Sequence, residues 1–543
     1  MPSIVTHKFK FSQLKTFRDS LANASAYYYL GIAKPTPWGA DDLPTSPSDN
    51  DGFDFPELMS VLRVDKEKTI YVVPRINWRK GDLYDYYGKA SASRFYVLTS
   101  TYKVYKCIDV PIVNGIQQPS TIEPTSTSTS IVTTSDNYKW KYMFALTTSD
   151  VIGFLTNSWM PVRKIVDGED VGSTDQQTVQ DNSIPGTIDK YEIVLGGTGY
   201  NNIPTLVVKG NGVNATATAS ISGGSIVGIT ITNKGQGYTY ATVQITPNIL
   251  DTAVTPAEIT PVISPILGHG SDAVSELLVS GLMINNTLSF NAGAGDFTTS
   301  NDYRKIFLMN GLTKTSNGAT AIEPTYSAME KLKFQTVSYS LLATSINPDD
   351  ELIGLTSGAS ARVVDFDSGT LSASIVFKEK DFISNQILTY TISTAGAGYH
   401  VGDVVGFSSA SDVGIGAKAY VTSVSGTGGI TGLNFDTGDF ASRGKNYGLE
   451  ANLVTEKPNE VITSSSFDGD TTPSVAAQIT VTSTRTEDVK VMRGSTDTQI
   501  TGNKLVLIDS EINRSGNIIY KDYRSPITRD INQREQLIIV LGF

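Results

Sequence analysis

The chain has 543 residues, a formal net charge of −11 and a charged fraction of 18%, below the usual ~25%. Its length calls for several cores rather than one, and the shortfall in charge is filled by Ser, Thr, Gly and Asn, a balance that suits strands and turns. An acidic chain without a Lys/Arg cluster argues against phosphate-neutralising nucleic-acid binding. No segment approaches the ~20 apolar residues of a membrane span, so no membrane insertion is expected, and the amino terminus lacks an apolar run of signal-peptide length. A soluble protein made in a cytoplasm is the expectation. Its single cysteine, Cys107, cannot form an internal disulfide, and its place in VYKCIDV reads as an inward-pointing structural thiol.

In chain order, residues 12–24 (SQLKTFRDSLANA) predict a short amphipathic helix, with Ser12 as cap and Leu14, Phe17 and Leu21 on one face. The aromatic run YYYLGI at 27–32 predicts a strand, and the following Pro-, Asp- and Gly-rich stretch through Pro56 a long loop without regular structure. Between Ile70 and Leu155 the runs TIYVVPRINW, RFYVLTS, YKVYKCIDV and YKWKYMFAL read as strands, and the Ser/Thr-rich piece 121–137 as a surface loop. From about 185 the composition changes and a tetrapeptide, Gly-x-Gly-Tyr, recurs at 197–200, 235–238 and 396–399, each time after a short β-type run. Alternating small residues accompany it, as in NATATAS at 214–220 and GAKAY at 416–420, and predict compact β-modules with thin cores. Residues 349–377 alternate strand-like runs with Ser-Gly turns, while 262–345 return to a more aliphatic texture. The last residues, Gln536–Phe543 (QLIIVLGF), are too short for a membrane span and too β-branched for a helix, and predict a buried strand.

The fold expected is mainly β and multi-domain: antiparallel sheets or sandwiches with a few short helices and inserted Gly/Tyr-rich modules. Five segments follow from the composition: an N-terminal body at 1–184, a first inserted module at 185–261, the body continued at 262–345, a second inserted region at 346–500, and a closing strand segment at 501–543.

Residues that carry chemistry are sparse. His7, His269, His400 and Cys107 lie far apart, without zinc-type spacing. His269 in GHGSD is either a base beside Ser271 and Asp272 or part of a structured turn. The acidic groups Asp349, Asp350 and Glu351, and Asp468 with Asp470, are either facing carboxylates or a calcium site on one reading, or solvated turns on the other. Tyr200, Tyr238 and Tyr399 either present flat rings to a glycan or pack back on their own sheets. No catalytic, cofactor-binding or metal-binding residue is expected, and no cofactor.

Several pieces, in order along the chain, resemble the gene product eight family of baseplate wedge proteins from T-even-like contractile-tail phages. They are IVTHKFKF at the start, VYKCIDVP at 104–111, TIEP at 121–124, YKWKYMF at 138–144, DYRKIFLMNG at 302–311 and the terminal segment SGNIIYKDYRSPITRDINQREQLIIVLGF at 515–543. The resemblance implies a non-enzymatic, β-rich virion subunit of the tail baseplate, assembled in the host cytoplasm. It implies a homodimer that touches neighbours similar to the family's gene products six, seven and ten during assembly and rearrangement of the baseplate. The Gly-x-Gly-Tyr modules depart from the family pattern. Rival readings are a carbohydrate-binding tail adhesin and a tail-associated glycan hydrolase. For assembly the residues of interest are Tyr520, Tyr523, Arg524 and Pro526, because aromatic and Arg side chains dominate interfaces; they either meet a partner or cap the terminal strand within one subunit.

Overall fold

A computed structural model describes residues 6–22, 27–40, 43–89, 92–113, 115–251, 254–289, 297–315, 318–335, 346–378, 380–409, 413–435, 442–449, 457–468, 473–500, 504–508, 511–513, 515–530 and 534–542. The fold is mainly β, with 35 strands and four short α-helices among the described residues, and the strands pair in antiparallel ladders such as Tyr28–Ala33 with Asp302–Asn310. The chain divides into two compact units, one made of residues 1–20, 66–286 and 537–543, the other of 21–65 and 287–536. This division crosses the segments read from composition. Residues 1–184 are shared between both units, and the boundary at 345 falls within one sheet, because the strand Glu330–Gln335 pairs with Ser372–Lys378.

In the first unit the helix runs His7–Ser20, earlier than the predicted 12–24, so Ser12 is an interior residue and not a cap. Its inward face is set by Leu14 and Arg18, four residues apart, and both are buried. Arg18 reaches Glu169 at 3.1 Å and Asp170 at 2.6 Å and lies 4.8 Å from the Tyr71 ring centre. One sheet orders Trp159–Val162, Thr69–Pro74, Gly281–Ser289 and Arg534–Gly542. The terminal strand is therefore an edge strand. Leu537 and Ile539 are buried on one face, while on the other Ile538 is exposed and Val540 half-buried, so the strand predicted to be buried is covered more fully on one face than on the other. A second sheet, Tyr96–Leu98, Lys103–Asp109, Lys139–Ala145 and Val132–Thr133, is covered on both faces. Val104, Met143 and Phe144 enter one core; Tyr105, Cys107, Trp140 and Tyr142 enter another. Cys107 is buried there, and burial pushes its thiol well above the ordinary value, as an inert structural cysteine requires.

In the second unit a five-stranded sheet orders Thr325–Ser327, Leu58–Arg63, Tyr28–Ala33, Asp302–Asn310 and Asn517–Thr528. The long loop after Ala33 is not wholly irregular: 3-10 turns form at Asp51–Phe53 and Phe55–Glu57, the first capped by the Asn50 side chain. A seven-stranded sheet follows, with Leu332, Leu352, Val363, Ile375 and Val491 at its core.

Each unit also carries a β-module with its own core, of six strands in the first unit and seven in the second. In the first module Ile188–Leu195 pairs with Glu258–Ile263, Thr205–Gly210 with Ala241–Thr246, and Val213–Ser222 with Ser225–Gln236. In the second, Gln386–Thr394 pairs with Gln478–Arg485, Val404–Ser408 with Glu460–Asp468, and Ile415–Val424 with both Ile430–Asn434 and Ser442–Lys445. The connections are the same in the same order, with one strand of the first module split in two in the second. The ring closes where Ile188–Leu195 lies beside Ser225–Gln236, and Gln386–Thr394 beside Ser442–Lys445.

The Gly-x-Gly-Tyr turns lock these rings. Tyr200 N donates to Gly224 O and Ile226 N to Gly196 O; in the second module Tyr399 N donates to Gly428 O and Ile430 N to Ala395 O. The Tyr200 hydroxyl accepts from Ala257 N at 3.0 Å, and the Tyr399 hydroxyl from Ala477 N at 2.9 Å. A Cβ at Gly197 or Gly396 would come within 2.5 Å and 2.6 Å of the carbonyls of Thr255 and Val475, so the turn leaves no room for a side chain. Within each module a second turn repeats the hydrogen bonds of the first. Tyr238 N donates to Gly186 O as Tyr200 N does to Gly224 O, and the Tyr238 hydroxyl accepts from Ala215 N. The second module completes the set with Gly444-Lys445-Asn446-Tyr447: the Tyr447 hydroxyl accepts from Ala417 N at 3.1 Å, and Tyr447 N donates to Asn385 O. Three copies are legible as Gly-x-Gly-Tyr; the fourth has Asn446, at φ 62°, where the others have glycine.

The modules differ at two seams. In the first, Thr205–Gly210 and Val213–Ser222 form no ladder with each other, nor do Ala241–Thr246 and Glu258–Ile263. In the second, both equivalent pairs are hydrogen-bonded. Each open seam includes a residue that interrupts ladders: Asn214, at φ 65°, and Pro261, which has no N–H to give.

Candidate functional site

Tyr520, Tyr523, Arg524 and Pro526 all lie on the strand Asn517–Thr528, which pairs with Asp302–Asn310. A register shift between Tyr303 and Lys305 leaves Arg524, Ser525 and Pro526 opposite Arg304, and Pro526 is exposed on that bulge. Tyr523 is held inside the unit. Its hydroxyl donates to Asp54 Oδ1 at 2.6 Å, its ring lies 5.6 Å from that of Trp38, and Trp38 Nε1 donates to the Arg524 carbonyl at 2.9 Å. Tyr520 and Arg524 are half-buried, and the Arg524 guanidinium pairs with Asp522 on its own strand.

Around Tyr523 lies a network of charges absent from the sequence reading. Lys305 Nζ is 2.6 Å from Asp54 and 2.7 Å from Glu57, Lys521 Nζ is 2.7 Å from Asp54 and 2.6 Å from Asp51, and Lys34 is 3.0 Å from Glu57. Burial opposes ionisation of Asp54, but hydrogen bonds from Lys305, Lys521 and Tyr523 outweigh it and hold the carboxyl below its ordinary value. Its charges are mutually satisfied. Removing one partner of such a buried pair costs about 3–5 kcal/mol, so the network fixes the loop at 51–57 against the sheet.

A second buried cluster lies in the first unit. Lys106 and Lys141 are direct cross-strand neighbours, and both are buried. Lys106 Nζ contacts Glu276, whose carboxylate also accepts from Gly270 N at 2.8 Å and Asp272 N at 3.1 Å. Burial, with Lys106 adding to it, lowers Lys141 to about 8. His269 lies 3.6 Å from Asp189 and 4.0 Å from Glu276, edge-on to the Tyr87 ring, and burial, then the nearby Lys106, Lys141 and Lys234, hold it neutral, well below its ordinary value. Ser271 and Asp272 do not join it in a triad. The Ser271 hydroxyl donates to Gly268 O at 2.7 Å, and Asp272 caps the helix Ala273–Glu276, so GHGSD is a structured turn. The signal for this cluster was present in sequence: lysines inside two strand-like runs, Lys106 between Tyr105 and Cys107 and Lys141 between Trp140 and Tyr142.

The other candidates resolve as structure. Tyr200, Tyr238 and Tyr399 are 1%, 3% and 1% exposed, so none offers a face to a sugar. Asp350 is buried and takes Arg493 at 2.8 and 2.6 Å, and Asp349 pairs with Arg362; the Asp468 side chain and Asp470 lie outside the described residues. Among the described residues no group of three or more His, Cys, Asp or Glu is placed to hold a metal. A shallow slot of ≈ 300 Å³ opens at one seam of the first module, lined by Val243, Glu258, Ile259 and Pro261 among others. Exposed apolar side chains are more prominent. Ile203, Ile249 and Leu250 are 62%, 95% and 73% exposed at one end of the first module, where Asp251 accepts from Asn201 N and Asn202 N and ties the two loops together. Ile112, Val113 and Ile116 are exposed on a small hairpin. Patches of this kind mark contact surfaces. No protein-family model matches the chain, and no curated protein matches it.

Proposed function

We propose that this chain is a structural subunit of a contractile-tail phage baseplate wedge, working by self-association and by contacts with other wedge proteins. The observation that carries the reading is the pairing of the segments that bear the resemblance. VYKCIDVP and YKWKYMF lie side by side as the strands Lys103–Asp109 and Lys139–Ala145. DYRKIFLMNG, as Asp302–Asn310, pairs with the terminal-segment strand Asn517–Thr528. Pieces far apart in the sequence thus pair as neighbouring strands within each unit, which supports reading them as parts of one inherited body. Exposed apolar side chains suit a protein that acts by contact. Co-expression with the other wedge proteins of the same phage tests the reading: a complex should survive purification, with the chain itself dimeric. A stable monomer that none of them retains would sink it.

A further inference from the structure

We propose that Lys106 and Glu276 condense into a side-chain amide, a covalent cross-link between the strand Lys103–Asp109 and the turn that leads into the helix Ala273–Glu276. Both side chains are out of water, at 0% and 2% exposure, and among the described residues the Lys106 amine contacts the Glu276 carboxylate and the face of the Tyr87 ring, 4.5 Å away. That is a meagre shell for an ammonium with three N–H groups. Lys141, directly opposite on the neighbouring strand, adds a like charge, and burial already drives the Lys106 amine towards its neutral form against the pull of Glu276.

The carboxyl is prepared for attack. Gly270 N and Asp272 N lie 2.8 and 3.1 Å from Oε1, so the oxygen that becomes negative in a tetrahedral intermediate faces two backbone donors already in place. Passing one proton from the ammonium to Oε2 gives a neutral amine beside a neutral acid. The Nζ lone pair then forms a bond to Cδ, the Cδ–Oε2 bond breaks, and Oε2 leaves as water with a second amine proton. One N–H remains on the amide, and no oxidant or cofactor enters. His269, whose Nδ1 is 4.0 Å from Oε2, is the nearest neutral base to that path. Condensation removes two ions from a dry interior, where each carries a desolvation penalty, and the fold supplies the proximity.

The Lys305–Asp54–Glu57 cluster of the second unit is the internal contrast. Its carboxylates are shared with Lys521 and Lys34 and its ions are satisfied, so it remains ionic. Intact mass spectrometry of the folded, then denatured wild-type chain should show a mass short by one water, and a lysine-specific protease should fail at Lys106 and leave its peptide joined to the one containing Glu276. Lys106→Met should restore the mass expected from its sequence, while Lys305→Met should keep the deficit. A wild-type chain of full mass after prolonged incubation in the folded state, with Lys106 cleavable, overturns the proposal; that measurement needs no variant to fold.

Discussion

The two Gly/Tyr modules have the same connections and four equivalent tyrosine turns, yet one has two open seams and the other has both closed by hydrogen bonds. The same ring therefore stands with and without those ladders. What the modules share, and what the fold cannot omit, is the set of turns in which a buried tyrosine hydroxyl satisfies an N–H of a distant strand. The seams are negotiable; the turns are not.

The strongest test of that contrast is to remove the rings. Tyr200→Ala and Tyr399→Ala should each destabilise its own module by about 3–5 kcal/mol, measured by urea unfolding with hydrogen exchange read module by module. If the closed seams carried the second ring, Tyr399→Ala would cost far less than Tyr200→Ala, and the comparison would break. Removing only the hydroxyls is milder. Tyr200→Phe and Tyr399→Phe leave Ala257 N and Ala477 N without that acceptor, at about 1–3 kcal/mol, and the larger loss is expected at Tyr200, since Ala477 N also reaches the Ser464 hydroxyl at 3.1 Å.

Acid should separate the modules further. The first strand of the first module carries Asp189, which faces His269 and pairs with Lys234 at 2.6 Å; the corresponding position of the second module is the exposed Leu388. His269 is held neutral, well below its ordinary value, in the folded chain. Its contribution is therefore complete above the unfolded value of ~6.5 and is lost as pH falls below it, by up to about 1.4 kcal/mol per pH unit. Thermal melts from pH 7.5 down to 5 should show the first unit weakening before the second, and His269→Gln should remove that early loss. The smallest effect belongs to Asn446. Asn446→Gly restores the Gly-x-Gly-Tyr pattern and should change stability by less than ~1 kcal/mol, whereas Asn446→Ala at the same positive φ should cost about 1–2 kcal/mol; both are read by denaturant midpoint.

Local pattern revealed much of this and long-range pairing the rest. The runs at 69–78, 94–100, 102–110 and 138–146 contain the observed strands because aromatic and β-branched residues in short bounded runs report the strand period directly. Three of the four turns were visible because glycine is the usual residue at positive φ. The fourth was hidden because asparagine also tolerates that conformation. The helix begins before its expected start, at His7, and Phe11 in that added turn packs against the core that Leu14 enters. The Asp54 network was illegible for a different reason: its partners Lys305 and Lys521 are hundreds of residues away, and only the sheet order brings them together. Of the four terminal-strand residues, Tyr523 is committed to that network, and Pro526 is the one that stands exposed.

In each module the first strand pairs with the last, Ile188 opposite Ile263 and Gln386 opposite Arg485. The chain thus leaves each ring beside the place where it came in, separated by no more than the spacing of neighbouring strands. For a gene this makes the module portable: a segment can be acquired, duplicated or lost at one point of a host sheet without changing the path of the chain on either side.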